Sequence, residues 1–272
     1  MKIITLVEDT KGMEGCRYEH GLSLYIETKN HKLLMDCGTT DMFLKNAEVL
    51  GVDLSQVDSV FLSHGHYDHS GGILPFAGYN PDAKIYLQKS AGEAYYHVTE
   101  EMEKYAGIDK DILRLSQCIL LDGDKEIDEE LFLFSNIKGS RCLPKGNREM
   151  TRKTDGIHVP DIFDHEQCLV ISEDEQKVLV SGCAHNGILN IMDRYKELFG
   201  NYPDIVISGF HMIQKDEYTK EDIENIKETA EELMKTDALY FSGHCTGTFA
   251  YGIMKEIMGG KLQAIHSGKR LV

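Results

Sequence analysis

The sequence predicts an α/β protein (α+β in places) in which two β-sheets pack together and helices cover their outer sides. Three observations predict it. Many short apolar runs have strand character, and amphipathic stretches separate the later runs. The chain has only 5 prolines and no long linker, so residues 1–272 read as a single domain rather than as two hinged units.

The strands are expected, in order, at Lys2–Val7, Leu22–Glu27, Lys32–Asp36, Ser59–Leu62, Lys84–Gln88 and Cys118–Leu121. Others follow at Leu131–Ser135, Cys168–Ser172, Lys177–Ser181, Asp204–Ser208, Ala238–Ser242 and Gln263–His266. Helices are expected at Asp41–Leu50, Ala91–Tyr105, Gly187–Phe199, Lys220–Lys235 and Gly247–Met258. The clearest helix is TKEDIENIKETAEELMK, where Ile223, Ile226, Ala230, Leu233 and Met234 recur at helical spacing. Thr219 can cap its start, and acids in its first turn face the positive end of the helix dipole. This helix covers a sheet and carries no chemistry.

Composition excludes several functions. The 272 residues carry a net charge of −16, which disfavours nucleic acid and anionic membranes as partners. Leu239–Met254 is uncharged apart from histidine but too short and polar to span a bilayer. The N-terminal MKIITLVEDT places acids where a signal peptide keeps its apolar run, so a cytoplasmic location is expected. The 7 cysteines are scattered and form no C-x-x-C pair, which argues against a disulfide framework.

Chemistry concentrates in VFLSHGHYDHSGG, Val60–Gly72. An apolar run ends at Leu62, and His64, His66, Asp68 and His69 follow within six positions. On extended backbone His64 and His66 point to one side, and Asp68 and His69 can face the same pocket from the next turn. Crowded imidazoles repel one another when protonated, whereas neutral imidazole ligates zinc or iron and a carboxylate offsets the metal charge.

SHGHYDHSGG resembles the signature of the metallo-β-lactamase fold superfamily. LLMDCG at Leu33–Gly38 is similar to the Asp-x-Gly element beneath the metal site in that superfamily. KVLVSGCAHNG, ISGFHM and SGHCTG resemble one subgroup, as do LVEDT, GLSLYIE and the closing HSGKRLV. Members of that subgroup are described as metal-dependent hydrolases, as dihydropterin ribofuranosylaminobenzene-phosphate synthase, or as dihydropteroate-synthase-like proteins. The resemblance implies a four-layer αβ/βα sandwich with two divalent metal ions in a cleft between the sheet edges. Zinc is the first expectation for these ions, with manganese or iron as alternatives. The resemblance also implies that His64 and His66 hold one ion and that Asp68 and His69 hold the other. His185 is assigned to the first and His244 to the second, because both follow strands that can end at a common cleft.

One position departs from the superfamily pattern. The strand-end site that usually carries a bridging Asp carries Cys183, which is either a thiolate ligand or a small buried residue. A third-ligand histidine is expected before the strand at Cys168, where only His158 and His165 occur. His185 is therefore a direct ligand or a group behind the ligands, and Cys183, His165 or His211 could replace or join it. Asp36 either positions the histidine loop or caps the turn after its strand.

A metal ion lowers the pKa of bound water toward 7, so an ester could be attacked by a metal-bridging hydroxide without a Ser or Cys nucleophile. Asp68 would orient that attack, and His211 would protonate the leaving group. Between Lys138 and Lys153 lie Lys138, Arg141, Lys145, Arg148, Arg152 and Lys153 against a single acid, Glu149. This reversal of charge reads either as a lid that attracts a small anionic substrate through Arg141 and Arg148 or as a solvated loop. The expected activity is hydrolysis of a small anionic ester, a phosphoester first. The alternatives are a pterin-related transferase and an iron-binding redox or sensor protein. A homo-oligomer is left open.

Overall fold

Side chains that alternate between two apolar environments shape the strands. Along Cys168–Glu173, Leu169 and Ile171 face one apolar cluster, while Cys168 and Val170 face another. That two-residue period marks a strand buried on both faces. The same alternation recurs at Gln176–Val180, where Val178 and Val180 face one way and Leu179 the other. The structure is a computed structural model and describes residues 1–214 and 216–272.

The first half of the chain contributes β1 (Lys2–Val7), β2 (Ser23–Glu27), β3 (Lys32–Met35), α1 (Met42–Val49), β4 (Ser59–Phe61), α2 (Tyr67–Ser70), α3 (Ile73–Tyr79) and β5 (Lys84–Gln88). Then come β6 (Tyr95–Val98), β7 (Glu103–Tyr105), β8 (Cys118–Leu121), β9 (Lys125–Glu126), β10 (Leu131–Phe134), β11 (Met150–Thr154) and β12 (Ile157–Pro160). The remainder contributes β13 (Cys168–Glu173), β14 (Gln176–Val180), α4 (Ile188–Phe199), β15 (Ile205–Ile207), α5 (Lys220–Met234), β16 (Leu239–Ser242), α6 (Thr248–Met258) and β17 (Leu262–Ala264).

One sheet runs β1-β2-β3-β4-β5-β8 and a second runs β17-β16-β15-β14-β13-β10-β9. Their facing sides share a core that includes Leu24, Met35, Phe61, Leu133, Val180, Ile207 and Phe241. On the outer side of the first sheet, Phe43 and Ala47 of α1 and Phe76 of α3 pack against Leu34, Val60 and Ile85. On the outer side of the second, α4, α5 and α6 bury Met192, Tyr195, Ile226, Leu233 and Met254 over Leu179 and Val206. Each such side chain contributes roughly 1.5–3 kcal/mol by leaving water. This is the expected four-layer αβ/βα sandwich. β14, β15, β16 and β17 pair in parallel, as do β3, β4, β5 and β8, so several strands of each sheet end at the same edge.

Gln167, just before β13, ties the two sheets at that edge. Its backbone N–H donates to the Ser63 carbonyl (2.8 Å). Its side-chain amide donates to the carbonyls of Leu62 (2.8 Å) and Tyr86 (3.2 Å) and accepts from Gln88 (2.9 Å).

Several expectations need correction. No α-helix covers Ala91–Tyr105; a short 3-10 turn at Lys89–Gly92 overlaps its start, and β6 and β7 follow. The run Tyr95–Thr99 is aromatic and β-branched, and pairing with β11 overrides the helical spacing of its neighbours. β12, β11, β6 and β7 form a small third sheet that the sequence reading lacked. The β11–β12 hairpin turns on Asp155 (φ 51°) and Gly156 (φ 81°), the Asp-Gly pairing that suits a tight turn with two left-handed residues. The basic stretch 138–153 is therefore not all loop, since Lys145–Glu149 is a 3-10 turn and its end belongs to β11. The short helices α2 and α3 were also missed. No helix among the described residues is long and apolar enough to cross a membrane.

Candidate metal centre

β4 ends at Phe61, and the following loop brings His64, His66, Asp68 and His69 into the sandwich edge, all buried. The loops after β14 and β16 bring Cys183, His185 and His244 from the facing sheet, also buried. The structure thus gathers His64, His66, Asp68, His69, His185 and His244, the residues singled out in the sequence as metal ligands. The ring centroids of His64, His66 and His185 lie 4.6–4.8 Å apart. Donor atoms of Asp68, His69, Cys183 and His244 all lie within 4.8 Å of one another, as do those of His64, Cys183 and His185.

Hydrogen bonds fix which ring nitrogen faces inward. The Ser63 hydroxyl donates to Asp36 Oδ2 (2.7 Å), so it accepts from His64 Nδ1 (2.8 Å). His69 Nδ1 donates to Asp36 Oδ2 (2.6 Å) and His244 Nδ1 to Asp9 Oδ1 (2.5 Å). His185 Nδ1 meets Asn147 Oδ1 at 3.0 Å. In each case Nε2 is the ring nitrogen left facing into the cage.

The donor set fits divalent cations. His64 Nε2, His66 Nε2 and His185 Nε2 are buried with no hydrogen-bond partner among the described residues. Buried polar atoms rarely stay unpaired, so three converging lone pairs call for an occupant. His69 Nε2 and His244 Nε2 approach to 3.2 Å, with Asp68 Oδ2 3.6 Å from the first and 3.4 Å from the second. Cys183 Sγ lies 3.2 Å from His69 Nε2.

Electrostatics follow the same division. Burial, with neighbouring imidazoles, pushes His64 and His185 well below the usual imidazole range and His66 down to about 3. These three stay neutral, as ligation requires. Burial raises the Asp68 carboxyl, but His69 and His244 outweigh it and hold it well below the carboxylate range. Burial lowers His244, but hydrogen bonds to Asp68 and Asp9 outweigh it and hold a proton there. A cation at that point would displace the proton.

The other expected residues are placed as follows. His165 lies beside the cage with both nitrogens engaged: Nδ1 accepts from the Gly65 N–H (2.9 Å), and Nε2 faces Asp161 Oδ2 (3.1 Å). It anchors the histidine loop rather than offering a lone pair. His158 lies on β12 and pairs with Thr151 (2.9 Å). His211 is half-buried, with its ring centroid 4.1 Å from that of His185. Arg141 is held in ion pairs with Asp193 (2.7 Å) and Glu232 (2.8 Å). Arg148 is exposed and forms no ion pair among the described residues. It lines a cavity of about 610 Å³ whose walls include His66, Asp68, His185, His211, Met102 and Ile213. It also lines an adjoining cavity of about 460 Å³.

Sequence reasoning did not assign Asp9, His20, Asn147 or Asp161 to the centre. Asp9 accepts from both His244 and His20, and His20 Nε2 lies 3.4 Å from Asp68 Oδ2. The available signal is LVEDT, which contains Asp9.

Comparison with known proteins agrees with this geometry. A family model described as "Metallo-beta-lactamase superfamily" matches residues 17–220. The chain is 28% identical to 7,8-dihydropterin-6-methyl-4-(beta-D-ribofuranosyl)-aminobenzene-5'-phosphate synthase of Methanocaldococcus jannaschii, over 99% of this chain and 95% of the relative. It is 32% identical to a solved structure described as a metal-dependent hydrolase of the beta-lactamase superfamily, with a TM-score of 0.82 over 100% and 98% of the two chains. A metallo-beta-lactamase fold protein of Bacillus subtilis, YhfI, shares the fold at 13% identity and a TM-score of 0.58, over 100% and 99%.

Proposed function

The chain belongs to the metallo-beta-lactamase superfamily, and from that premise we propose that it is a binuclear metal-dependent hydrolase of small anionic esters, a phosphoester first among them. The observation that carries this reading is the set of inward lone pairs at His64, His66 and His185 beside the Asp68–His69–His244 cluster. His64, His66 and His185 would hold one divalent ion, and Asp68, His69 and His244 the other, with Cys183 between them. Zinc suits imidazole with an available thiolate, with manganese or iron as alternatives. When bound, such ions polarise an ester oxygen and make water more acidic.

The chain's own residues supply the rest. Asp36 and Asp9 hold His69 and His244 in the tautomers that ligate. Asp68, kept ionised, orients the attacking water by accepting its hydrogen bond. Arg148, exposed at the mouth and without an acidic partner among the described residues, attracts the substrate anion. Arg141 is the lesser candidate because two carboxylates already neutralise it. His211, on the cavity wall, donates the proton to the leaving group. Met102 and Ile213 give the cavity apolar walls that exclude water from the rest of the substrate.

The near-full-length likeness to the Methanocaldococcus synthase favours a second reading, a pterin-related transfer on the same metals. One experiment separates them. The protein loaded with zinc, manganese or iron is assayed against phosphomonoesters, phosphodiesters and lactones, and against a dihydropterin with an aminobenzene phosphate partner. Turnover of an ester by the wild type but not by His64→Ala supports hydrolysis. Product from the paired substrates alone supports transfer, and turnover unaffected by His64→Ala rejects both.

A further inference from the structure

Three neighbouring strands of the second sheet, β14, β15 and β16, run parallel and end at the same edge. Besides the cage histidines His185 and His244, these loops carry three further soft or borderline donors: Cys183, His211 and Cys245. Their donor atoms lie within 4.8 Å of one another. We propose that these three residues form a binding site for a soft cation, additional to the two positions of the histidine cage and sharing the Cys183 sulfur with it.

The loops are built to hold this arrangement. The Gly209 N–H donates to the Gly182 carbonyl (2.8 Å) and the Ile213 N–H to the Cys245 carbonyl (2.9 Å). The His211 N–H reaches Cys245 Sγ at 3.2 Å. A Cβ added at Gly209 would lie 2.4 Å from Cys245 Sγ, so only glycine leaves room for that sulfur. Each loop also holds a non-glycine residue in left-handed backbone: Ala184 (φ 55°), His211 (φ 49°) and His244 (φ 48°). Such conformations cost of order 1–3 kcal/mol each and persist where surrounding contacts enforce them.

These sulfurs are not core filler. Cys37, Cys118, Cys142 and Cys168 pack within or against the apolar clusters, as small buried thiols do. Cys183 and Cys245 belong to neither outer cluster nor the inter-sheet core and line the cavity instead. His211 Nδ1 is buried with no hydrogen-bond partner among the described residues. Two sulfurs and an imidazole select zinc, copper(I) or cadmium over magnesium or calcium. Binding releases the thiol protons to solvent and involves no redox step.

This assignment goes beyond the catalytic reading and gives His211 a competing task. The test is a cobalt(II) titration of chelator-stripped protein. Bound equivalents are counted by elemental analysis, and thiolate-to-cobalt charge transfer is followed by absorbance. Cys245→Ser is expected to lose one equivalent and about half of the charge-transfer intensity, one thiolate of two. His211→Ala should also lose that equivalent, whereas His64→Ala should lose a cage equivalent and keep the charge-transfer band. Circular dichroism checks that each variant is folded, and Cys245→Ala serves if Cys245→Ser is not. Wild-type stoichiometry and band intensity in folded Cys245→Ser and His211→Ala would overturn the site. If His211→Ala then lowered turnover alone, the proton-donor role would stand without it.

Discussion

Asp36 serves two histidines at once, accepting from His69 Nδ1 and, through Ser63, orienting His64. Asp36→Ala frees both rings and leaves Ser63 with unpaired polar groups. Metal affinity is expected to fall about 10- to 100-fold, measured by competition with a chromophoric chelator. The proton held by His244 adds a pH dependence. His244 stays protonated above the usual imidazole range, and a cation must expel that proton, so apparent affinity should rise with pH and fall toward acid. Titration calorimetry in buffers of differing ionisation enthalpy would register the released proton, and a pH-independent affinity with no release would refute it. At this scale the cage was legible, because H-x-H-x-D-H places four donors in one short loop. Asp9 and Asn147 were not, since each reaches its histidine only after the chain has folded back over many residues.

Helix α5 shows how a local signal survives folding. Thr219 Oγ1 accepts from the Asp222 N–H (3.3 Å) and Asp222 accepts from the Thr219 N–H (2.8 Å), a reciprocal cap. Lys145 adds an ion pair to Asp222 at 3.0 Å, so the cap also anchors the turn that carries Arg148. Burial raises the Asp222 carboxyl, but the bonds from Thr219 and Lys145 outweigh it and bring it from 3.8 to about 2. The cap's contribution is therefore complete above the unfolded value and is lost as pH falls through about 2. Thr219→Ala should cost about 1 kcal/mol in urea unfolding near neutral pH, and Asp222→Asn should remove this carboxyl's share of the acid-side dependence. The misread segment 91–105 teaches the opposite lesson. Its isolated spacing suits a helix, but Tyr95–Val98 finds a partner strand in β11, more than fifty residues later. The Asp155-Gly156 turn was the clue that a hairpin stood ready to receive it.

The cage draws His64, His66, Asp68 and His69 from one sheet edge and Cys183, His185 and His244 from the other. A cation held there binds the folded chain and not the unfolded one, so loading should raise the melting temperature. A free concentration near 100 times Kd corresponds to about 2.7 kcal/mol. Differential scanning calorimetry with and without a chelator measures this, and identical melting curves would argue against a cage spanning both sheets. The paired sheets were readable from the number and spacing of apolar runs, while the third sheet was not, because its two hairpins join only through the long-range pairing of β6 with β11. Gln167 adds a mechanical consequence. Its bonds to Ser63, Leu62, Tyr86 and Gln88 rivet the sandwich beside the cage. Sliding of one sheet over the other would tear these buried amide bonds, so the two rims that supply the donors keep a fixed spacing.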